Sequence, residues 1–204
     1  GPDAVPGTPE FDIFVKECRR EMVTKAGQKC TAVRRILVPE NLLEAVQQAL
    51  IKELSKNVIG DPSVEGVRMG ALINRQQLDR VQEKLAVLTA ETSVVFGNTE
   101  SFEVVGADRR KGAFIPPVLL LNDQPFVKTS SHETECFGPV STLMPYKTLD
   151  DAIQLVNMGK GSLVSTICTH DPEAMREYVL EAAAFHGRIH ILNRTSAKES
   201  TGHG

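Results

Sequence analysis

The chain has 204 residues, 41% of them hydrophobic and 24% charged, the balance of an ordinary globular domain with one substantial core, which argues against disordered and fibrous classes. The formal net charge is −3 and the basic residues are scattered, so the footprint of a nucleic-acid binder is missing. No apolar stretch approaches the roughly 18 residues of a membrane span, and no basic-then-apolar leader opens the chain. A cytoplasmic protein acting on a small molecule or another subunit is expected, with no nucleic-acid or membrane partner.

Residues 1–9 are rich in proline and glycine and read as an extended lead-in that packs poorly. From residue 11 to 24, Phe11, Phe14, Val15, Cys18 and Met22 recur at helical spacing until Gly27 breaks the pattern. Cys30 follows. "RRILVP" (34–39) reads as a buried strand, and Asn41 is placed to cap a helix over 42–55. A second amphipathic helix is expected over 74–89, with Leu78, Val81, Leu85 and Leu88 on one face. "TSVVFG" (92–97) then reads as a strand. "AFIPPVLLL" (113–121) is apolar, but its prolines confine it to a bent or edge position. "STLMPY", "LVSTICT" and "GRIHILN" supply further strands, separated by helices over 148–158 and 172–185. This alternation predicts an α/β fold: a mostly parallel open sheet with helices on both faces. Functional residues are expected in loops at the carboxyl ends of its strands.

The four cysteines, Cys18, Cys30, Cys136 and Cys168, are widely spaced without a C-x-x-C pair, so reduced thiols are expected. His186 and His190 would share one helical face, yet "HGRIHIL" alternates like a strand, and no metal site is predicted.

Two loops stand out. In "KAGQKCTA" (25–32) a helix ends in a glycine turn and Cys30 stands just before an apolar run. A thiolate there, favoured by backbone amides and a cation such as Lys29, is a candidate nucleophile; a small buried hydrophobe is the alternative. "SHETECFGPV" (131–140) combines Glu133, Glu135, an aromatic and a Gly-Pro turn. It can offer a carboxylate and a flat apolar face to a ligand, as acidic residues do to ribose in dinucleotide folds, or be a solvated turn between strands. "MGKGS" (158–162) lacks the glycine spacing of a phosphate loop and reads as a helix C-cap. There is no G-x-G-x-x-G fingerprint, and "STGHG" (200–204) is too short to interpret.

In order and spacing, Gly27-Gln28-Lys29-Cys30 followed by Arg34-Arg35, then Glu135-Cys136-Phe137-Gly138-Pro139-Val140 and the "GRIHILN" segment ending at Asn193, the chain resembles the aldehyde dehydrogenase superfamily along essentially its whole length. The resemblance implies the catalytic domain of that family, over residues 10–204. It makes Cys30 the nucleophile, which forms a thiohemiacetal and then a thioester, with its backbone N–H donating to the oxyanion. Glu135 would hold the nicotinamide ribose of NADP or NAD, Phe137 would pack near the nicotinamide, and Asn193 would shape the loop beside the thiol. Gln77 and Arg80 could approach the cofactor. More narrowly, "TKAGQKCTAVRRILVP", "GDPSVEGVRMGALIN" and the C-terminal stretch are similar to the aldehyde dehydrogenase part of the bifunctional ring-opening enzymes of bacterial phenylacetate degradation (phenylacetic acid degradation proteins). That likeness implies a CoA-linked semialdehyde and NADP.

Three features of the family have no counterpart in these residues: its general-base glutamate, the asparagine completing its oxyanion hole, and its cofactor-binding domain. A piece of a longer homo-oligomeric enzyme, incompetent alone and needing that cofactor-binding domain as its partner, is therefore expected. Two other readings of the residues are a cysteine-dependent acyl transferase or hydrolase, and a non-catalytic interaction domain with inert thiols.

Overall fold

The computed structural model describes residues 1–199, and "STGHG" (200–204) lies outside them. Helix α1 (Pro9–Val23) starts where the Thr8 hydroxyl accepts the Phe11 amide at 3.3 Å and Pro9 occupies the first turn, the position proline tolerates best. It buries Phe11, Val15, Cys18 and Met22, the face expected from their spacing. Strand β1 (Arg35–Pro39) leads to α2 (Leu43–Leu54). Here Asn41 does not cap: a short 3-10 turn (Glu40–Leu42) after Pro39 carries the chain straight into helical geometry, with no side-chain cap. Asn74 does cap α3 (Arg75–Thr89), accepting the Gln77 amide at 2.8 Å.

Strands β2 (Ser93–Phe96), β3 (Val118–Leu121) and β4 (Val140–Tyr146) join β1 in a four-stranded sheet ordered β1-β4-β3-β2. The β1–β4 and β3–β4 pairs are parallel and β2–β3 is antiparallel. After a short helix α4 (Ser130–Glu133) and the helix α5 (Leu149–Asn157), strands β5 (Ser162–Cys168) and β6 (His186–Leu192) pair in parallel around helix α6 (Pro172–Ala182). The fold is α/β and mostly parallel, as expected. Its strands are nevertheless divided between two sheets, because β5 pairs only with β6.

Successive residues of β3 and β4 are buried (Val118, Leu119, Leu120; Val140, Leu143, Met144), so this sheet is covered on both faces. The edge position expected for the double-proline segment is corrected. Pro116 and Pro117 precede the ladder, pairing begins at Val118, whose amide donates to Pro139 O at 2.8 Å, and β3 lies between β4 and β2. Only "VLLL" needs ladder donors, and none of those residues is proline.

The first nine residues also depart from expectation. They form turns rather than an extended tail, and they are tied down. Ala4 is buried, the Gly1 amino group donates to Cys168 O, and Asp3 accepts from Thr169 Oγ1 and, at 2.7 Å, from the His170 amide. Glu10 is fully buried; its carboxylate accepts from the Arg194 amide (3.0 Å), Nε (2.9 Å) and a terminal guanidinium nitrogen (2.6 Å). The reason is polar satisfaction. The loops after β5 and β6 carry backbone donors that need acceptors, and two carboxylates of the N-terminal segment supply them.

Those bonds to Arg194 hold the Glu10 carboxyl down at about 2. A depressed carboxylate pKa contributes stability that is present above its unfolded value and lost as pH falls toward its folded one. Glu10→Gln should therefore cost about 1–3 kcal/mol at pH 7. In urea titrations the gap to the native protein should shrink between about pH 5 and pH 2; a gap independent of pH would contradict this assignment.

Candidate active site

The chain leaves α1 through a 3-10 turn (Thr24–Gly27) in which Lys25 and Ala26 have φ of 53° and 52°, and Gly27 follows at 70°. Three consecutive left-handed residues reverse the backbone, a costly conformation for the two that carry a Cβ. Gly27 is required on a second count. A Cβ there would collide with the carbonyl of Gly138 and with Pro139 N. The two loops singled out in the sequence thus touch backbone to backbone.

Each loop is held from several directions. The Gln28 side chain accepts the Ile73 amide at 2.9 Å and donates to Lys25 O at 3.1 Å. Ser141 Oγ donates to Val33 O at 2.7 Å, and the Thr142 amide to Arg34 O at 2.9 Å. Phe137 adopts φ 53°, and Gln77 Nε2, from α3, donates to its carbonyl at 2.9 Å. A non-glycine residue in this conformation persists only when its surroundings impose it. Gln77 therefore braces the aromatic loop, while Arg80 is exposed on the same helix.

Arg35 and His132 brace the loop from beneath, and neither was singled out as a site residue. Arg35 donates to Leu155 O (2.6 Å) and Val156 O (3.0 Å) at the end of α5 and lies 2.9 Å from His132 Nδ1. His132 Nε2 is 2.7 Å from Pro125 O. One neutral tautomer satisfies both contacts, with the proton on Nε2 and Nδ1 accepting from Arg35. Burial first, and then the arginine charges, hold His132 below its ordinary pKa, in keeping with that tautomer. "RR" after the cysteine signals positive charge, but only the fold reveals that one arginine caps a helix end.

Cys30, Glu135 and Phe137 line one cavity of about 480 Å³. All three are exposed, so a thiol, a carboxylate and an aromatic ring face one solvent-filled space. They precede β1 and β4 in the chain and stand at the amino ends of these strands. The expectation of a site at carboxyl ends is overturned, because the close approach of Gly27 to Gly138 brings together loops that enter the strands rather than leave them. Lys29 is committed elsewhere than expected. Its ammonium lies 2.8 Å from Glu21, with only 9% and 10% of the two side chains exposed, so a carboxylate offsets its charge. Asn193 directly follows β6, where its side chain accepts the Thr195 and Ser196 amides, each at 3.0 Å. It shapes its own turn; the cavity wall includes Leu192 but not Asn193. Among the described residues no group of three histidine, cysteine or acidic side chains is arranged to hold a metal ion.

The family model for the aldehyde dehydrogenase family matches residues 5–204. The chain belongs to that family. A 3,4-dehydroadipyl-CoA semialdehyde dehydrogenase from Aromatoleum evansii is 43% identical over 204 residues, 100% of this chain and 40% of that protein. Protein MaoC from Klebsiella aerogenes is 44% identical over 137 residues, 67% of this chain and 39% of its own length. Among solved structures, a betaine aldehyde dehydrogenase double mutant from Staphylococcus aureus, in complex with NAD+ and with a BME-modified cysteine, superimposes with a TM-score of 0.80 at 25% identity. It covers 91% of this chain and 36% of its own. The aldehyde dehydrogenase chain thus spans well under half the length of these relatives.

Within this aldehyde dehydrogenase fold the four thiols are not equivalent. Cys18, Cys136 and Cys168 are buried and Cys30 is exposed. Burial pushes the Cys136 thiol up to about 12 and that of Cys168 to about 11, and raises Cys18 as well. Since the thiolate is the reactive species, limited iodoacetamide treatment of the folded protein followed by peptide mapping should modify Cys30 first. Earlier modification of Cys18 or Cys168 would refute this ranking.

Proposed function

We propose that this chain carries the nucleophile for oxidation of an aldehyde to a carboxylic acid by a longer NAD(P)-dependent enzyme. The observation that carries the reading is that the one exposed thiol, Cys30, shares a cavity with Glu135 and Phe137. The Cys30 thiolate attacks the aldehyde carbon, forming a carbon–sulfur bond and an alkoxide, toward which the Cys30 backbone N–H donates. Loss of hydride from that carbon leaves a thioester on Cys30, and water releases the acid and the thiol.

The exposed carboxylate and ring fit the nicotinamide–ribose end of NADP or NAD. Glu135 accepts hydrogen bonds from ribose hydroxyls and Phe137 offers a flat apolar surface. The oxidised nicotinamide, when bound, supplies the two-electron acceptor. Gln77 and the Gly27–Gly138 contact keep these groups in place. Asn193, by holding the turn after β6, shapes the border of the site.

A CoA-linked semialdehyde is the substrate class we favour, supported by the name and 43% identity of the Aromatoleum protein over the full chain. We further propose that the remaining machinery lies in a cofactor-binding domain of the same polypeptide, that the whole enzyme is a homo-oligomer working in the cytoplasm, and that the 204-residue chain alone does not turn over. Positioning of the reacting groups supplies roughly 7 to 11 kcal/mol of such a barrier, and Glu135 and Phe137 address only one end of a dinucleotide.

The test is NADPH or NADH formation from a panel of aldehydes and CoA-linked semialdehydes. The longer polypeptide should be active, its Cys30→Ala variant should lose at least about 1000-fold in kcat, and the 204-residue chain should give no signal. Retained activity in Cys30→Ala would overturn the assignment of the nucleophile. Turnover by the short chain that vanishes in its own Cys30→Ala control would overturn the requirement for a second domain.

A further inference from the structure

Behind the turn that carries Cys30 stands an ion pair to which the chemistry above assigns no part. Lys29 Nζ lies 2.8 Å from Glu21 Oε2, and the two side chains are only 9% and 10% exposed. Glu21 is in the last turn of α1 and lines the same cavity as Cys30. The Lys29 carbonyl accepts the Ala32 amide at 3.1 Å, which closes a turn with Cys30 and Thr31 at its centre. Lys29 is thus the first corner of the turn that presents the thiol, and its side chain is fastened to the helix before it.

Between Glu21 and Lys29 the backbone reverses through the three left-handed residues Lys25, Ala26 and Gly27. A segment of this kind keeps its shape only where its surroundings impose it. Gln28 and the Gly27–Gly138 contact hold it from one side, and the ion pair clasps its two ends together. The charges matter as well as the distance. Lys29 adjoins a thiol whose reactive form is an anion, and the Glu21 carboxylate offsets that ammonium. The other oxygen of Glu21 lies 3.6 Å from Arg20, which also pairs with Glu17. Removing one member of a buried pair leaves an uncompensated charge, whereas removing both leaves none.

We propose that Glu21 and Lys29 are positioning residues for the nucleophile: their pair fixes the 29–32 turn against α1 and keeps the charge beside the Cys30 thiol balanced. The proposal rests on the reading of Cys30 as the nucleophile. The other charged groups on the cavity wall are Glu17 of α1, Arg34 and Arg35 where the chain enters β1, Glu135 before β4, and His186 and His190 of β6. Burial holds the remaining thiols and the tyrosines of that wall in their neutral forms. All of these stay the same when only the pair is altered, so a change at Cys30 reports on the pair.

The test is the pH profile of Cys30 alkylation by iodoacetamide, read by peptide mapping in the longer polypeptide and in its Glu21→Gln, Lys29→Met and doubly substituted forms. Glu21→Gln unmasks the ammonium, which favours the thiolate, and should move the profile down by about half a pH unit or more. Lys29→Met unmasks the carboxylate and should move it up by a similar amount. The double variant should return to within about 0.2 pH unit of the native profile, since no unpaired charge remains. With the tie gone, its kcat/KM for hexanal should nevertheless stay about tenfold low, while its KM for NADP stays within about twofold, because Glu135 and Phe137 keep their own supports. Shifts of the same sign in the two single variants, or no shift in either, would overturn the proposal. So would a double variant with native kcat/KM, and that comparison decides if a single variant fails to fold. Alkylation needs no turnover, so the shifts are separable from the role of Cys30, against which retained turnover in Cys30→Ala would count.

Discussion

The candidate site depends on one close approach, that of the Gly27 backbone to the Gly138 carbonyl. No side chain fits between them, and the left-handed turn that ends in Gly27 aims the following residues at the cavity. Two segments more than a hundred positions apart in sequence are thereby fixed against each other at main-chain precision, which long side chains could not supply. Hydrogen bonds from Gln28, Gln77 and Ser141 then hold the loops where that contact puts them. The exposed thiol, carboxylate and ring share a cavity because their backbones share a contact. Preorganisation of this sort is what positions reacting groups without a cost at the moment of reaction.

The candidate site and the polar stitching of the N-terminal segment lie at opposite ends of the strands. Cys30, Glu135 and Phe137 stand before β1 and β4. The polar stitching by Gly1, Asp3 and Glu10 lies after β5 and β6. The exposed groups at the amino ends are therefore free of the structural hydrogen bonds that hold the opposite end. The segment that begins at Gly1 is tied to the carboxyl end of β5, and α1 carries the chain from there to the turn before Cys30.

Much of this was legible in the sequence, because helix periodicity, short apolar runs and glycine punctuation are local signals. The four longest helices, the six strands and the two motif loops were readable for that reason. What escaped is non-local. The split between sheets, the interior position of β3, and the tie between Glu10 and Arg194 depend on which segments meet, and the lead-in residues look like a linker until their carboxylates find donors far along the chain. Lys29 illustrates the limit. Its place beside the cysteine suggested a cation aimed at the thiol, whereas the fold brings Glu21 from the last turn of α1 to pair with it. Asn193 was readable as a loop-shaping residue, and the turn it shapes is its own. Arg35 and His132 were invisible as a pair, since nothing in sequence connects a strand residue with a histidine 97 positions away.

The measurement closest to the heart of the account is to trap the covalent species. The longer polypeptide would be mixed with an aldehyde and oxidised cofactor, quenched in acid within its first turnovers, and digested for mass spectrometry. The account predicts one acyl adduct, heavier than the free peptide by the aldehyde less two hydrogens, on the peptide containing Cys30 and absent when cofactor is withheld. Formation of the carboxylic acid with the adduct on another residue, or with none on Cys30 under conditions where the thioester survives, would contradict it.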